Sequence, residues 1–340
     1  MSDDASEFRI TSATESHARA AAVLPTLGSE DAAHVLGQVH ALEVGRRRAS
    51  DEGDHRDYLP CEDVDWVLTA TFTGTPHLDP HRVRAAFDAA WCAQYGRFTA
   101  FGRDAATNRW TFLISADGPS AVTDLKLAWD YCDPLGVDPP ATSALFQRRL
   151  DATIAVLSSL GQCHLEASKS ASEAGRTTTV LNALKRECDR DAAIVLQAPR
   201  RRPYDGRRVW DVMLCLGLRW GDMDCFHWAN PTTDGPDAYF SVHTTTPPGY
   251  FLPEALASGR MQPADLAFTF SIPRSVAPGP VFDCMARAVE YCRTRLGGTT
   301  LDDAGQPADL VALREYVVHV DRQMRRAGFV PGSHRSLRLF

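Results

Sequence analysis

The chain has 340 residues, of which 44% are hydrophobic and 23% are charged. This is the composition of a globular protein with enough apolar residues for about two domain cores, and it excludes an intrinsically disordered chain. The formal net charge of −7 argues against non-specific nucleic-acid binding, because that mode needs a basic surface.

The cysteines and the apolar runs indicate a protein of a reducing compartment. Nine cysteines are scattered without any Cys-x-x-Cys pair, which favours free buried thiols over a disulfide or zinc framework. The acidic start, Met1 to Glu7, lacks the basic-then-apolar order of a secretory signal. No run of about 18 apolar residues is present, so no transmembrane segment is expected. We therefore predict a cytoplasmic protein.

Residues 1–60 are expected to form an N-terminal segment with one helix over residues 29–44. Ser29 is suited to cap that helix, because its hydroxyl can accept a hydrogen bond from the first turn. The apolar stripe of the helix is Val35, Leu36, Val39 and Leu42. Residues 45–57 are dense in charges of both signs, which predicts a solvated linker.

The rest of the chain divides into modules at 61–190 and 191–332 and a tail at 333–340, because sequence landmarks recur in one order. Tyr95 to Phe101 in the first half occupies the slot of Trp220 to Phe226 in the second. Further pairs are Asp79-Pro80 with Asp205-Gly206, Trp110 to Ile114 with Ala238 to Val242, and Leu127 to Pro134 with Leu266 to Pro273. A period as long as a domain predicts two globular copies of one fold rather than a solenoid.

Each module is predicted to start with a strand and a helix, to continue with a hairpin and a further strand, and to end with helices. The predicted strands include 66–72 and 110–116 in the first copy and 192–198 and 238–245 in the second. The second helix of the first copy has the stripe Phe146, Leu150, Ile154 and Leu157, and a helix over 307–326 closes the second copy. This order predicts an α+β fold of two split β-α-β modules, each an antiparallel sheet with helices on one face.

Strand alternation in the second module separates a helix-covered face from an open face. In 240–245 and in 268–272, the large apolar residues all lie at even-numbered positions, and they should face the helices. The other parity is small or polar, and an uncovered face can bind a partner. The predicted peptide-binding residues are Met223, Cys225, His243, Thr245, Ala267 and Thr269, with Arg200, Arg201 and Arg202 at the rim.

The sequence carries no catalytic motif, so a non-enzymatic protein without a cofactor is predicted. It has no nucleophile elbow, no phosphate-binding glycine loop and no dinucleotide fingerprint. His227 and His243 could form a pair on neighbouring strands. Without a third ligand at a known spacing, we interpret both as residues of the sheet surface, and no metal is expected.

Arg200 to Arg202, followed by Arg207 and Arg208, forms the densest cluster of charge. With Tyr204 and Trp210 nearby, it could bind RNA through stacked bases. The acidic chain and the Thr and His residues of the open face argue against that role, and no nucleic-acid partner is expected. Two interpretations stay open, namely pairing with carboxylates of a protein ligand and a solvated loop.

Four stretches of the second module carry a family resemblance. They are Gly221-Asp222-Met223, Ala238-Tyr239-Phe240-Ser241, Pro248-Gly249-Tyr250-Phe251, and Leu296 to Asp303 followed by Leu313-Arg314-Glu315-Tyr316. The last stretch is the most specific, because both of its parts occur in the family's order and spacing. On these residues, nearly all of 192–327 resembles the C-terminal FtsZ-binding domain of the bacterial cell-division protein ZipA.

The resemblance implies a cell-division adaptor whose open sheet face binds a short amphipathic segment of the FtsZ C-terminal tail. It also implies that Asp302 and Asp303 lie in a turn near a helix N-terminus rather than in a Mg²⁺ site. The sequence differs from the family in two respects. A second module replaces the membrane helix and linker, and Thr245 and Thr269 replace large apolar residues, while His243 replaces a small one. Each lost apolar contact is worth about 1–3 kcal/mol, so the alternative is a scaffold or self-assembly module that has lost FtsZ binding.

The first module, as a diverged copy, is expected to have the more acidic open face. The landmarks align Phe98 with Met223, Asp117 with Thr245, and Asp130 with Thr269. Carboxylates in a groove lose hydration and repel an acidic tail. We therefore expect this module to be a docking surface for the second module, for the N-terminal helix or for a basic partner.

Overall fold

The computed structural model describes residues 31–37, 39, 59–73, 77–116, 118–132, 139–199, 202–231 and 236–340, together with residues 18 and 22. The chain divides into two compact units. The first module comprises Gly45–Glu187 and His334–Phe340, and the second comprises Met1–Val44 and Cys188–Ser333. The narrower limits 61–190 and 191–332 stay a prediction.

The first module is built on a five-stranded antiparallel sheet. Its strands are β1 (Asp65–Phe72), β2 (Thr99–Asp104), β3 (Trp110–Phe112), β4 (Val122–Asp130) and β5 (Cys163–Ala167). They lie in the order β3-β2-β4-β1-β5. The central pair β1 and β4 begins with Asp65 opposite Asp130, so the register of the sheet is fixed from that end.

Four helices complete this part of the first module. They are α1 (Pro80–Ala86), α2 (Ala89–Tyr95), α3 (Pro139–Leu160) and α4 (Ala171–Cys188). Asp79 and Asp88 begin α1 and α2, because their carboxylates accept hydrogen bonds from the first-turn backbone N–H groups of His81 and Trp91. The ring of Trp66 contacts those of Trp129 and Phe146, with ring centroids 5.5 and 4.9 Å apart. Because Phe146 belongs to α3, the residues of β1 that point to the same side as Trp66 face this helix.

The second module contains a six-stranded antiparallel sheet. Its strands are β6 (Asp191–Gln197), β7 (Arg219–Trp220), β8 (Phe226–Ala229), β9 (Ala238–His243), β10 (Asp265–Ser271) and β11 (Thr299–Leu301). They lie in the order β11-β6-β10-β9-β8-β7. Two antiparallel sheets combined with helices confirm the predicted α+β class.

The helices of the second module pack on the large apolar residues of its sheet. They are α5 (Gly206–Cys215), α6 (Pro253–Ala257), α7 (Pro278–Leu296) and α8 (Leu310–Arg326). Trp210 of α5 contacts Phe226 of β8 with ring centroids 5.0 Å apart, and Phe240 and Phe268 are almost fully buried. The closing helix α8 begins at Leu310 rather than at residue 307, because the Asp309 carboxylate caps its first turn.

The two ends of the chain pack on different modules. In the second module, the Ala32 backbone N–H donates to the Cys215 carbonyl at 2.9 Å, and the Arg287 guanidinium donates to the Val35 and Leu36 carbonyls at 2.9 and 2.6 Å. Helix α9 (His334–Leu339) belongs to the first module. The predicted tail 333–340 is therefore mostly a packed helix.

The predicted helix over 29–44 is wrong in its described part. A single 3-10 turn, Ala33–Val35, is present there, and Gly37 has a left-handed φ of 72° that ends it. Leu36 is nevertheless buried, so its burial and the hydrogen bonds to Cys215 and Arg287, rather than helix formation, hold the segment. Residues 29, 30, 38 and 40–44 lie outside the described residues.

Two further predictions about the first module are corrected. The segment Trp110–Phe112 is an edge strand beside β2, whereas its expected counterpart β9 lies next to the central strand β10, so the hairpin is inserted in the opposite order in the two sheets. In α3, Ile154 is 44% exposed, and Arg149 and Thr153 are buried instead. The buried face is thus shifted relative to the predicted stripe, because polar side chains also pack inward.

Candidate functional site

The register of the second sheet defines its open face. Two rows cross the strands, one with Val195, Ala267 and His243 and the next with Ala193, Thr269 and Ser241. Thr269 and His243 are half-buried, whereas Phe268 and Phe270, on the other parity of β10, are buried. Three predicted site residues, His243, Ala267 and Thr269, therefore share one face of the sheet, where Ala267 is only 4% exposed.

Thr245 has a structural role next to this surface. The carboxylate of Asp265, which is 5% exposed, accepts hydrogen bonds from the Thr244 hydroxyl at 3.0 Å, from the Thr245 backbone N–H at 2.7 Å and from the Thr245 hydroxyl. A buried carboxylate is tolerated only when such donors replace its hydration. Thr245 thus stabilises the charge of Asp265, which explains a polar residue where an apolar one was expected.

The two histidines of the face are in different environments. His227 is hydrogen-bonded through Nδ1 to the Ser241 hydroxyl and through Nε2 to the Asp222 carbonyl, both at 2.8 Å. Because a carbonyl only accepts, Nε2 carries a proton, and both ring nitrogens are engaged. Burial lowers the pKa of His243 against the opposing effect of Asp265. In the part of the chain that the structure describes, no group of three or more His, Cys, Asp or Glu residues is placed to hold a metal ion.

Met223 lies at the tip of the hairpin between β7 and β8. Met223 and Asp224 have left-handed φ values of 53° and 54°, and the Cys225 backbone N–H donates to the Asp222 carbonyl at 3.2 Å. Two successive left-handed residues form a type I′ turn, which normally takes Gly or Asn. Met223 is 80% exposed. A bulky apolar side chain is thus held outward in a strained turn.

Cys225 follows this turn and is half-buried. Burial, with the nearby charges of Asp224 and Asp222, raises its thiol pKa to about 11. The thiol therefore stays protonated at neutral pH, and its Sγ contacts the Met223 carbonyl oxygen at 3.4 Å. The geometry favours a packing role for Cys225 over a nucleophilic or metal-binding role.

The predicted arginine rim is described only at Arg202. Its side chain is exposed, and its backbone N–H donates to the Pro199 carbonyl at 2.9 Å. Arg200 and Arg201 lie outside the described residues. Two other cations were missed by the sequence reasoning: Arg219 and Arg274 line a cavity of about 500 Å³.

The lining of this cavity also includes His227, Ser241 and Thr269. It therefore joins the open face to two cationic side chains. Arg219 has no carboxylate partner among the described residues, and the same holds for Arg274. Arg219 lies at the start of β7, and Arg274 lies just beyond the end of β10. Their proximity depends on the strand order, which the sequence alone does not reveal.

A comparison with family models gives one match to this module. Residues 192–317 match the family described as ZipA, C-terminal FtsZ-binding domain. Over this range the second module is similar to that family. No curated protein matches the chain. The ZipA-type match includes β6 to β11 and ends within α8, so it spans every predicted site residue.

The first module does not reproduce the face of the ZipA-type module residue by residue. Phe98 packs on the helix side, with its ring 5.0 Å from that of Trp129, and is not an exposed tip like Met223. In the second module, Thr269 pairs with Ala193, the third residue of β6. In the first module, the third residue of β1 is Val67, and it pairs with Ala128 rather than with Asp130. Both proposed correspondences are wrong, and Asp117 lies outside the described residues.

Within the ranges that the structure describes, no helix is both long enough and apolar enough to cross a membrane.

Proposed function

We propose that the protein is a non-enzymatic adaptor in bacterial cell division whose ZipA-type module binds a short, FtsZ-like peptide tail on the open face of its sheet. The observation that carries this proposal is the match of residues 192–317 to a domain family named for FtsZ binding. Such an adaptor acts in the cytoplasm, the compartment predicted from the sequence.

The open face offers both apolar and cationic contacts to such a tail. Val195, which is partly exposed, lies in the centre of the sheet beside Ala267, which is only 4% exposed, and Met223 projects at its end with 80% of its surface exposed. Burial of apolar side chains against these residues supplies the affinity. Arg219 and Arg274, at the adjoining cavity, can pair with carboxylates of the tail, and arginine suits that geometry.

The affinity of this face is expected to be limited at Thr269. This side chain is half-buried in the central row, and its hydroxyl replaces an apolar group that would contact the ligand. We predict that Thr269→Phe increases the affinity for an FtsZ C-terminal tail peptide by about tenfold or more, since one large apolar contact is worth about 1.5–3 kcal/mol. Thr294→Phe, at an exposed position of α7, is the matched control.

Fluorescence anisotropy with a labelled FtsZ tail peptide measures these affinities on the full chain. Binding by the wild-type protein that weakens with Met223→Asn supports the proposed face, because asparagine keeps the left-handed turn and removes the apolar side chain. If neither the wild-type chain nor folded Thr269→Phe binds the peptide, the scaffold or self-assembly function replaces the adaptor.

A further inference from the structure

The last helix of the chain is a basic, amphipathic element docked on the first module. Helix α9 carries His334, Arg335 and Arg338, and it belongs to the compact unit formed by residues 45–187 although residues 188–333 separate the two in sequence. Leu339 is 4% exposed and Ser336 is fully buried. The helix thus buries one face and presents its arginines to the module.

Both arginines of α9 meet carboxylates at the start of β1. Arg338 Nη2 lies 3.1 Å from Asp65 Oδ1, and Arg335 Nε lies 3.0 Å from Asp63 Oδ2. Asp65 is 1% exposed, and its other oxygen accepts the Cys61 backbone N–H at 3.2 Å. A buried carboxylate needs such partners, so this surface is built to receive an arginine.

Several features make this helix exchangeable. It has six residues, which is far below the length at which a helix is stable alone, so its structure depends on the docking surface. The residues just before it are held by the second module, since the Gly332 backbone N–H donates to the Pro273 carbonyl at 3.0 Å, so the helix itself is the part of this segment that can leave its site. The same contacts form whichever copy of the chain supplies the helix, which is the condition for exchange of an element between protomers.

We propose that the surface around Asp63 and Asp65 is a docking site for the C-terminal helix of a second copy of this chain, and that this exchange joins copies of the protein. At low concentration the chain's own helix occupies the site, because a short tether gives it an effective concentration of roughly millimolar. A higher concentration of the chain favours exchange, because the helix of a second copy then competes with the chain's own helix. The inference is independent of the FtsZ proposal, since it involves only the first module and the C-terminal helix.

The test uses an acceptor chain that ends at Ser333 and a labelled peptide of residues 333–340. We expect the peptide to bind the acceptor, to bind full-length protein at least tenfold more weakly, and to lose affinity when it carries Arg338→Glu. Peptide binding should also weaken with salt, because the contact contains two ion pairs. A scrambled peptide of the same composition is the control for simple charge attraction.

The second arm measures association between chains by sedimentation velocity. A full-length donor with Asp63→Arg, whose own site repels Arg335, is mixed with the acceptor, and a species with the mass of two chains is expected only in the mixture. If the shortened acceptor does not fold, full-length Arg335→Asp serves instead. The proposal is overturned if the peptide does not bind, if it binds full-length protein or its scrambled form equally well, or if donor and acceptor stay separate.

Discussion

Gly298 occupies a position in the ZipA-type module that only glycine fits. Its φ is +112°, and a Cβ atom there would overlap the Gln197 carbonyl oxygen and the Tyr204 hydroxyl. The Tyr204 hydroxyl donates to the Gly297 carbonyl at 3.0 Å, so the close approach ties the end of α7 to strand β6. The residue is therefore part of the packing between elements as well as of the turn.

We predict that Gly298→Ala lowers the free energy of unfolding by about 2 kcal/mol or more, because backbone strain and a steric clash add. Gly305→Ala is the matched control. Gly305 also has a positive φ, of 75°, but its Cβ would meet no atom within 4 Å. Urea unfolding of both variants separates the two effects, and equal losses would show that the overlap with Gln197 and Tyr204 is relieved without cost.

We expect the stability of the second module to depend on pH through His243. Burial lowers the pKa of its ring below the ordinary value, despite the opposing charge of Asp265. As the pH falls below about 6.5, the unfolded chain takes up a proton before the folded chain does, so stability is lost. We predict that His243→Gln removes this loss between roughly pH 7.5 and 5.5. Chemical denaturation of both proteins across that range measures it, and parallel pH curves would contradict the assignment.

At the scale of elements, helix α3 buries a hydroxyl that it does not satisfy. Thr153 is fully buried, and its Oγ1 has no hydrogen-bond partner among the described residues. We predict that Thr153→Val raises the free energy of unfolding by about 1 kcal/mol, because it removes an unsatisfied polar group at nearly constant volume. Thr153→Ala controls for volume and should be less stable than Thr153→Val, since it leaves a cavity. Thermal unfolding that ranks alanine above valine would contradict this explanation.

Strand alternation predicted the faces of the second sheet from sequence, because the period of two is a local property of a strand. His243, Ala267 and Thr269 are therefore neighbours as expected. The order of strands could not be predicted in the same way, because it depends on which distant segments pair. For that reason, the sequence did not predict the position of β3 at the edge of the first sheet. It also did not predict that Arg219 and Arg274 line one cavity.

Polar interactions between residues that are far apart in the sequence could not be predicted either. Thr245 was assigned to a groove from its parity, whereas its hydroxyl and backbone N–H both serve Asp265. The short helix α9 gave no recognisable periodic pattern, since six residues span less than two turns. Its place is decided by Asp63 and Asp65, which lie about 270 residues earlier and whose pairing with arginine no local pattern reveals.

At the scale of the whole molecule, each compact unit combines one terminus with a distant part of the chain. Leu36 near the N-terminus is buried in the second module, and Leu339 near the C-terminus is buried in the first. The polypeptide therefore passes from one unit to the other after residue 44, after residue 187 and after residue 333. Each unit depends on residues that belong to the opposite half of the sequence.

This crossed arrangement sets the order in which the protein can be completed on the ribosome. Residues 45–187 are synthesised before residues 188–333, yet the carboxylate of Asp65 stays without Arg338 until residue 338 has left the exit tunnel. At about 5–20 residues per second, that interval lasts roughly 10–30 s. The first module therefore waits for its helix α9 after residues 45–187 have been made, and during that interval the carboxylate surface that α9 covers stays accessible.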